Sequence, residues 1–389
     1  MHIDYSTGFY EGSADHNNNP HGHGIMYWND GSRYTGEWKR GERCGRGTYY
    51  WPSGSRYEGE WYNSQMHGSG TYYYSNGSKY VGQWLCGNRS GNGILYLYSG
   101  ERYEGQWKYD KMNGRGTYYY KSGNVYEGQF IDGNIEGKGK LNFTNGDCYV
   151  GEFKNEKIHG YGICTYPNGN RYEGEWRSGN RHGKGTLYTR SGNRYEGEWQ
   201  NDKRTGWGVL YTADGAKYEG QWLNNKKHGK GTLCYADGSR YDGEWQNDKK
   251  HGQGKLCDSE GEYNGAWSNG ERNGYGVFMG ADGHTYEGEW RDGAMHGRGI
   301  YRWANGAVYD GEWKNDNYNG HGVMHYSDGT IYDGEWKDDK WCGVGKLIKA
   351  DGVELRGNWN GTSATDVVRD EHGKRSYGKV VSGKFIAKM

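Results

Sequence analysis

The string Tyr-x-Gly-x-Trp recurs at a fixed interval along this chain, and no other feature restricts the fold as much. It begins at Tyr34, Tyr57, Tyr80 and Tyr103, then at Tyr126 and Tyr149 with phenylalanine in last place, then at Tyr172, Tyr195, Tyr218 and Tyr241. Each start falls 23 residues after the one before. After one 22-residue step the string returns at Tyr263, Tyr286, Tyr309 and Tyr332, again 23 apart. Degenerate copies at Tyr10, where Ala14 takes the tryptophan place, and at Leu355 bring the array to sixteen units. A unit this short cannot bury an apolar face alone, so its stability must come from stacking on its neighbours.

Each unit has two halves. In Arg56-Tyr57-Glu58-Gly59-Glu60-Trp61 the period of two puts Tyr57, Gly59 and Trp61 on one face and Arg56, Glu58 and Glu60 on the other, which reads as a solvated row. A polar loop follows, then His-Gly-x-Gly or a variant, then a run of Tyr, Thr, Leu and Ile. In that run Gly68, Gly70, Tyr72 and Tyr74 share a face. The place two after Gly-x-Gly is apolar in every complete unit, from Met26, Tyr49 and Tyr72 to Met324 and Leu347, which marks a buried row. Asn76-Gly77, Asp237-Gly238 and Asn305-Gly306 close their units and predict type I′ turns, which need positive φ at both central residues. Helices are excluded by glycine at this density, 73 of 389 residues.

The expected fold is all-β, an elongated, solenoid-like, single twisted antiparallel sheet of about sixteen stacked β-hairpins, spanning roughly 150 Å at about 4.8 Å per strand. The glycines leave room for a neighbouring unit's rings to cross the backbone. Tyr57, Trp61, Tyr80, Trp84, Tyr195, Trp199, Tyr218 and Trp222 are the structural aromatic rows. Residues 1–33 form an N-terminal cap with a degenerate first repeat, 34–359 the array, and 360–389 a degenerate C-terminal cap folded over the last hairpin. Phe130, Phe153, Glu136 and Asn142 depart from the pattern, so the middle is expected to pack less firmly.

Few aliphatics and much glycine would suit disorder, but the 18 Trp and 39 Tyr are regularly spaced and the formal net charge is zero. That balance gives no global attraction to nucleic acid. No apolar run is long enough for a transmembrane helix, and no signal pattern opens the chain. Seven scattered cysteines suit a reducing compartment. No nucleophile elbow, Walker motif or Cys-x-x-Cys occurs, and the third glycine after each Gly-x-Gly comes too late for a nucleotide fingerprint. No catalytic residue, cofactor site or metal site is assigned. His21, His67, His159, His182, His228, His251 and His296 share one repeated place, about 10 Å apart, too far for shared zinc ligation; they read as turn residues.

Two surfaces are candidates. Tyr27, Tyr50, Tyr73, Tyr96 and Tyr119 put a tyrosine on the face opposite the buried row in successive early units; Tyr50, Tyr73, Tyr96 and Tyr119 are the expected partner-binding residues. Lys226, Lys227, Lys249 and Lys250 gather in adjacent hairpin loops and offer an alternative contact with anionic phospholipid.

Tyr-Glu-Gly-Glu-Trp followed by His-Gly-x-Gly-Thr and Asp-Gly at a 23-residue period resembles the MORN (membrane occupation and recognition nexus) repeat over about residues 10–359. The chain is most similar to the repeat-only members found in protist cytoskeletons and radial-spoke heads. The resemblance implies a non-catalytic, intracellular scaffold of the cytoplasm, cytoskeleton or cilium. It also implies protein partners held as extended or helical segments along the sheet, and homodimerisation through the C-terminal repeats. Weak contact with anionic lipid is the alternative the family name suggests.

Overall fold

The structure is a computed structural model that describes residues 1–388. Those residues form 35 strands and no helix. They fall into two compact units, one of residues 1–190 with 199–202, the other of residues 191–198 with the chain from Lys203 onward. Each unit is an open antiparallel meander in which strands pair with the strands before and after them in sequence.

One repeat shows the construction. Strand Arg56–Tyr62 pairs with Gln65–Tyr73, with Tyr57 opposite Tyr72 and Gly59 opposite Gly70. On its other side it pairs with Glu42–Tyr50, with Tyr57 opposite Tyr49 and Trp61 opposite Gly45. Alternation therefore puts tyrosine, glycine and tryptophan on one face and the charged residues on the other.

The turns differ from expectation. At Asn76-Gly77 only the glycine has positive φ (87°). The Gly77 amide donates to the Tyr74 carbonyl at 3.0 Å, and the Tyr74 amide to the Ser78 carbonyl at 2.9 Å. This is a type I turn ended by a left-handed glycine, the three-residue hairpin loop, and not type I′. Pro52 and Pro167 fit its first corner, where φ is already that of proline. The type I′ geometry occurs instead in the polar loop after the tryptophan: Asn63 and Ser64 have φ of 44° and 60°, and Asn201 and Asp202 of 47° and 65°. Asn and Asp tolerate that conformation through local hydrogen bonds, so the loop takes pairs without glycine there as well as pairs such as Asp132-Gly133 and Asn269-Gly270.

The one-residue deletion leaves Asp258 opposite Gly261 across a two-residue turn. Residues 363–387 do not fold back over the array; they continue it as strands Ser363–Glu371, Lys374–Val381 and Lys384–Ala387. At the start, His2–Tyr5 and Gly8–Ala14 extend it the other way, and the enlarged loop closes between Asp15 and Asn19.

Candidate functional site

The aromatic face is built from one repeated cassette. Tyr57 is fully buried and lies across Gly59 and Gly70 of its own hairpin. A Cβ on Gly70 would clash with the phenol Oη and Cζ. The Tyr57 hydroxyl donates to the Glu60 carbonyl at 3.0 Å. The ring that crosses the glycines thus belongs to the same unit, not to a neighbour. Contact between units falls to tryptophan. Trp61 meets Tyr57 at 5.2 Å and the preceding unit's Tyr34 at 5.3 Å, both edge-on, and its indole N–H donates to the Gly47 carbonyl at 3.1 Å. Tyr80 and Trp84 repeat this, with Trp84 against Tyr57 at 5.3 Å. Trp199 donates to the Gly185 carbonyl at 3.0 Å, and Trp222 meets Tyr195 and Tyr218, each at 5.2 Å. Burial raises the phenol pKa along the row, to about 12 at Tyr126 and Tyr263. Phe130 and Phe153 are as buried as the tryptophans and meet the preceding tyrosines at 4.9 Å. What they lack is the indole donor, not packing.

The second acid of Tyr-Glu-Gly-Glu-Trp is not simply solvated. Between Gly59–Gly70 and Glu60–His67 the register slips by a β-bulge, with Gly68 at φ 55°. The freed Ser69 amide donates to Glu60 Oε1 at 3.2 Å. Glu37, Glu175 and Glu244 accept the matching amide elsewhere, and Gln83, Gln106 and Gln221 do so where the carboxylate is an amide. The repeated histidines stand at this bulge, inside the strand and not in a turn. In His67, His182, His228 and His296 the Nδ1 atom is buried without a hydrogen-bond partner. No group of three metal-ligating side chains occurs among the described residues.

Above the core the aromatic face carries a half-buried outer layer. The place before the histidine puts its side chain over the next unit's tryptophan: Arg43 over Trp61 at 4.5 Å, Arg89 over Trp107 at 4.3 Å, Arg181 over Trp199 at 4.5 Å. Lys227 and Lys250 occupy this place over Trp245 and Trp267, each at 4.7 Å. Burial holds both ammoniums below their ordinary pKa. They are therefore part of the aromatic face and not loop cations; of the four lysines only Lys226 and Lys249 are exposed. The alternation explains this, because adjacent strand residues point to opposite faces. The apolar row of Tyr49, Tyr72 and Leu95 also belongs to this outer layer and is half-buried, unlike Met26 and Met324, which are buried.

On the opposite face Tyr50, Tyr73, Tyr96 and Tyr119 are each half-buried under a cation from the paired strand. Arg33, Arg56, Lys79 and Arg102 stand 4.5, 3.7, 4.8 and 3.9 Å from the respective ring centres. Beside the row runs a groove of about 1130 Å³ from Val81 to Ile163. Its walls mix Val81, Ile94, Val150 and Tyr161 with Glu104, Arg115 and Lys138. Val150 and Tyr161 are 51% and 52% exposed. Sequence reading missed this groove because its places usually carry Glu or Thr. The signal was the substitution of Val81, Ile94, Val150 and Ile163 at those places.

The MORN repeat family model matches fifteen consecutive segments, from 16–33 and 34–56 to 332–354. The chain belongs to the MORN repeat family. The matched boundaries at Tyr34, Tyr57 and every later repeat coincide with the tyrosine that begins each cassette. No catalytic family is indicated. No curated protein matches the sequence. Among solved structures, the chain is similar to the Drosophila melanogaster SAS-4 (dCPAP) TCP domain in complex with a proline-rich motif of Ana2 (dSTIL). The identity is 12%, covering 52% of this chain and 87% of that one, with a TM-score of 0.21. It is also similar to the Danio rerio CPAP TCP10 domain in complex with a STIL peptide, at 9% identity, 81% and 93% coverage and a TM-score of 0.13. Likenesses this distant carry no argument about what this chain binds.

Proposed function

We propose that this MORN-repeat protein is a non-catalytic scaffold of the cell interior that binds and organises protein partners in a cytoskeletal or ciliary assembly. The observation behind the reading is the groove on the face opposite the core, where Val81, Ile94, Val150 and Tyr161 expose apolar surface that the fold itself does not use. The adjoining row of Tyr50, Tyr73, Tyr96 and Tyr119 is already desolvated by its cations and offers flat ring edges to an extended or helical segment. The reading includes a homodimer through the C-terminal repeats, which the resemblance to repeat-only MORN proteins implies. Lipid contact through the four lysines is weakened, since Lys227 and Lys250 are committed to tryptophan faces.

The test is detergent extraction of the tagged protein from its own cells, imaged before and after. The expected result is retention on a detergent-resistant structure, lost on combining Tyr73→Ala, Tyr96→Ala and Val150→Glu. Release of the unmodified protein with the membrane fraction would overturn the reading.

A further inference from the structure

The outer layer of the aromatic face is not uniform. At the place over the next tryptophan, Met66, Met112 and Met295 stand in some units and a cation in others. Where Arg89 and Arg181 stand, the second residue of the following type I′ turn is aspartate. Arg89 pairs with Asp110 at 3.1 Å and Arg181 with Asp202 at 3.0 Å. Each cation there is satisfied within the fold.

Lys227, Lys250 and Arg272 follow one another in consecutive repeats over Trp245, Trp267 and Trp290, and among the described residues none has a carboxylate within 4.0 Å. The reason is visible in the turns. Gly270 and Gly293 take the place of the aspartate that would face Lys250 and Arg272. Asp248 accepts the Lys227 backbone amide on Oδ1 at 2.8 Å and acts on the Lys227 ammonium only at longer range. Asp258, the other acid near this strip, acts on Lys250 only at longer range. Among the described residues three half-buried cations on aromatic rings thus have no carboxylate in contact, an arrangement that favours an external one.

We propose that this strip holds an extended acidic segment of a partner protein, one carboxylate per repeat. The inference rests on the protein-binding reading above and adds a second surface to it. Geometry sets the register. Successive cations are two strands apart, about 10 Å, and a chain in the extended polyproline-II conformation advances about 3.1 Å per residue with three residues per turn. An acid at every third position therefore faces the strip and meets one cation each. The cations lie half-buried over the tryptophan rings of the aromatic face and do not protrude from loops. A narrow peptide reaches them; a flat bilayer surface reaches Lys226 and Lys249 first.

The probe is a fluorescent peptide of four Glu-Ser-Thr triplets, titrated against the full chain and read by anisotropy at low and high salt. A second peptide of the same composition has its glutamates contiguous. The spaced peptide should bind more tightly than the contiguous one. It should lose about tenfold or more in affinity when Lys227→Met, Lys250→Met and Arg272→Met are combined. Methionine is the resident of this place in three other units, so the variant keeps the core. Gly270→Asp with Gly293→Asp gives an independent check: it leaves all three cations in place but restores to Lys250 and Arg272 the internal acid that Asp110 and Asp202 supply elsewhere, and should weaken binding as well. Equal affinity for the two peptides, or unchanged affinity in the methionine variant, overturns the proposal. So does a methionine variant that changes binding to phosphatidylserine vesicles and not to the peptide. Partner retention that survives the methionine changes and falls with Tyr73→Ala would leave the scaffold reading standing and remove this inference alone.

Discussion

Gly70→Ala is the most direct test of how the repeat holds together. The new Cβ would clash with Oη and Cζ of Tyr57 and lie 2.5 Å from Cε2. Tyr57 has nowhere to go, since it is fully buried between Trp61 and Trp84. Overpacking of this kind costs about 1–3 kcal/mol. Displacing the phenol also weakens its hydrogen bond to the Glu60 carbonyl, at about 1 kcal/mol. The expected total is roughly 2–4 kcal/mol. Gly54→Ala is the control. Gly54 has φ 86° and open space where a Cβ would go, so only the left-handed backbone cost of about 1–2 kcal/mol applies. Repeat arrays open locally, so the assay is hydrogen exchange read by segment, not a single melting point. Exchange should rise in 56–73 and the adjacent repeats and stay unchanged in 286–301. In a Tyr57→Ala background the glycine change should become nearly neutral. If Gly70→Ala costs no more than Gly54→Ala, or costs as much without Tyr57, the glycine-for-tyrosine account is wrong.

Other perturbations follow from the same cassette. Trp107→Phe removes the indole bond to the Gly93 carbonyl and should cost about 1 kcal/mol or more, while Phe130→Trp restores that donor in the middle repeats; local exchange compares the two. Glu60→Gln should be tolerated because Gln83 and Gln106 cap their bulges, whereas Glu60→Ala should expose the Ser69 amide to faster exchange. The buried phenols predict alkaline unfolding. Their folded pKa lies above the unfolded value near 10, so their contribution is complete below pH 10 and lost as pH rises through about 12 at Tyr126 and Tyr263. Phenolate absorbance of these rings should therefore appear together with the loss of strand circular dichroism; phenolate forming well before the strands are lost would contradict it.

Much of the architecture was legible because it is repeated. Period 23, period-two alternation and paired glycines specify antiparallel hairpins whatever the partner, and they correctly separate Tyr57, Gly59 and Trp61 from Glu58 and Glu60. The family and the all-β fold follow from that pattern alone. The tertiary structure decided which end of each hairpin takes the type I′ turn, because Asp132-Gly133 and Asn145-Gly146 both satisfy the sequence signal and only the strand register distinguishes them. It also showed that Glu60 caps a bulge and that Tyr57 covers its own glycines, since a bulge shifts register without changing the repeat length. The candidate surfaces were least legible. Lys226 and Lys227 are neighbours in sequence, yet one is exposed beside a turn and the other is stacked on Trp245. Burial of that kind depends on the side chains of the next repeat, which no single unit's sequence contains.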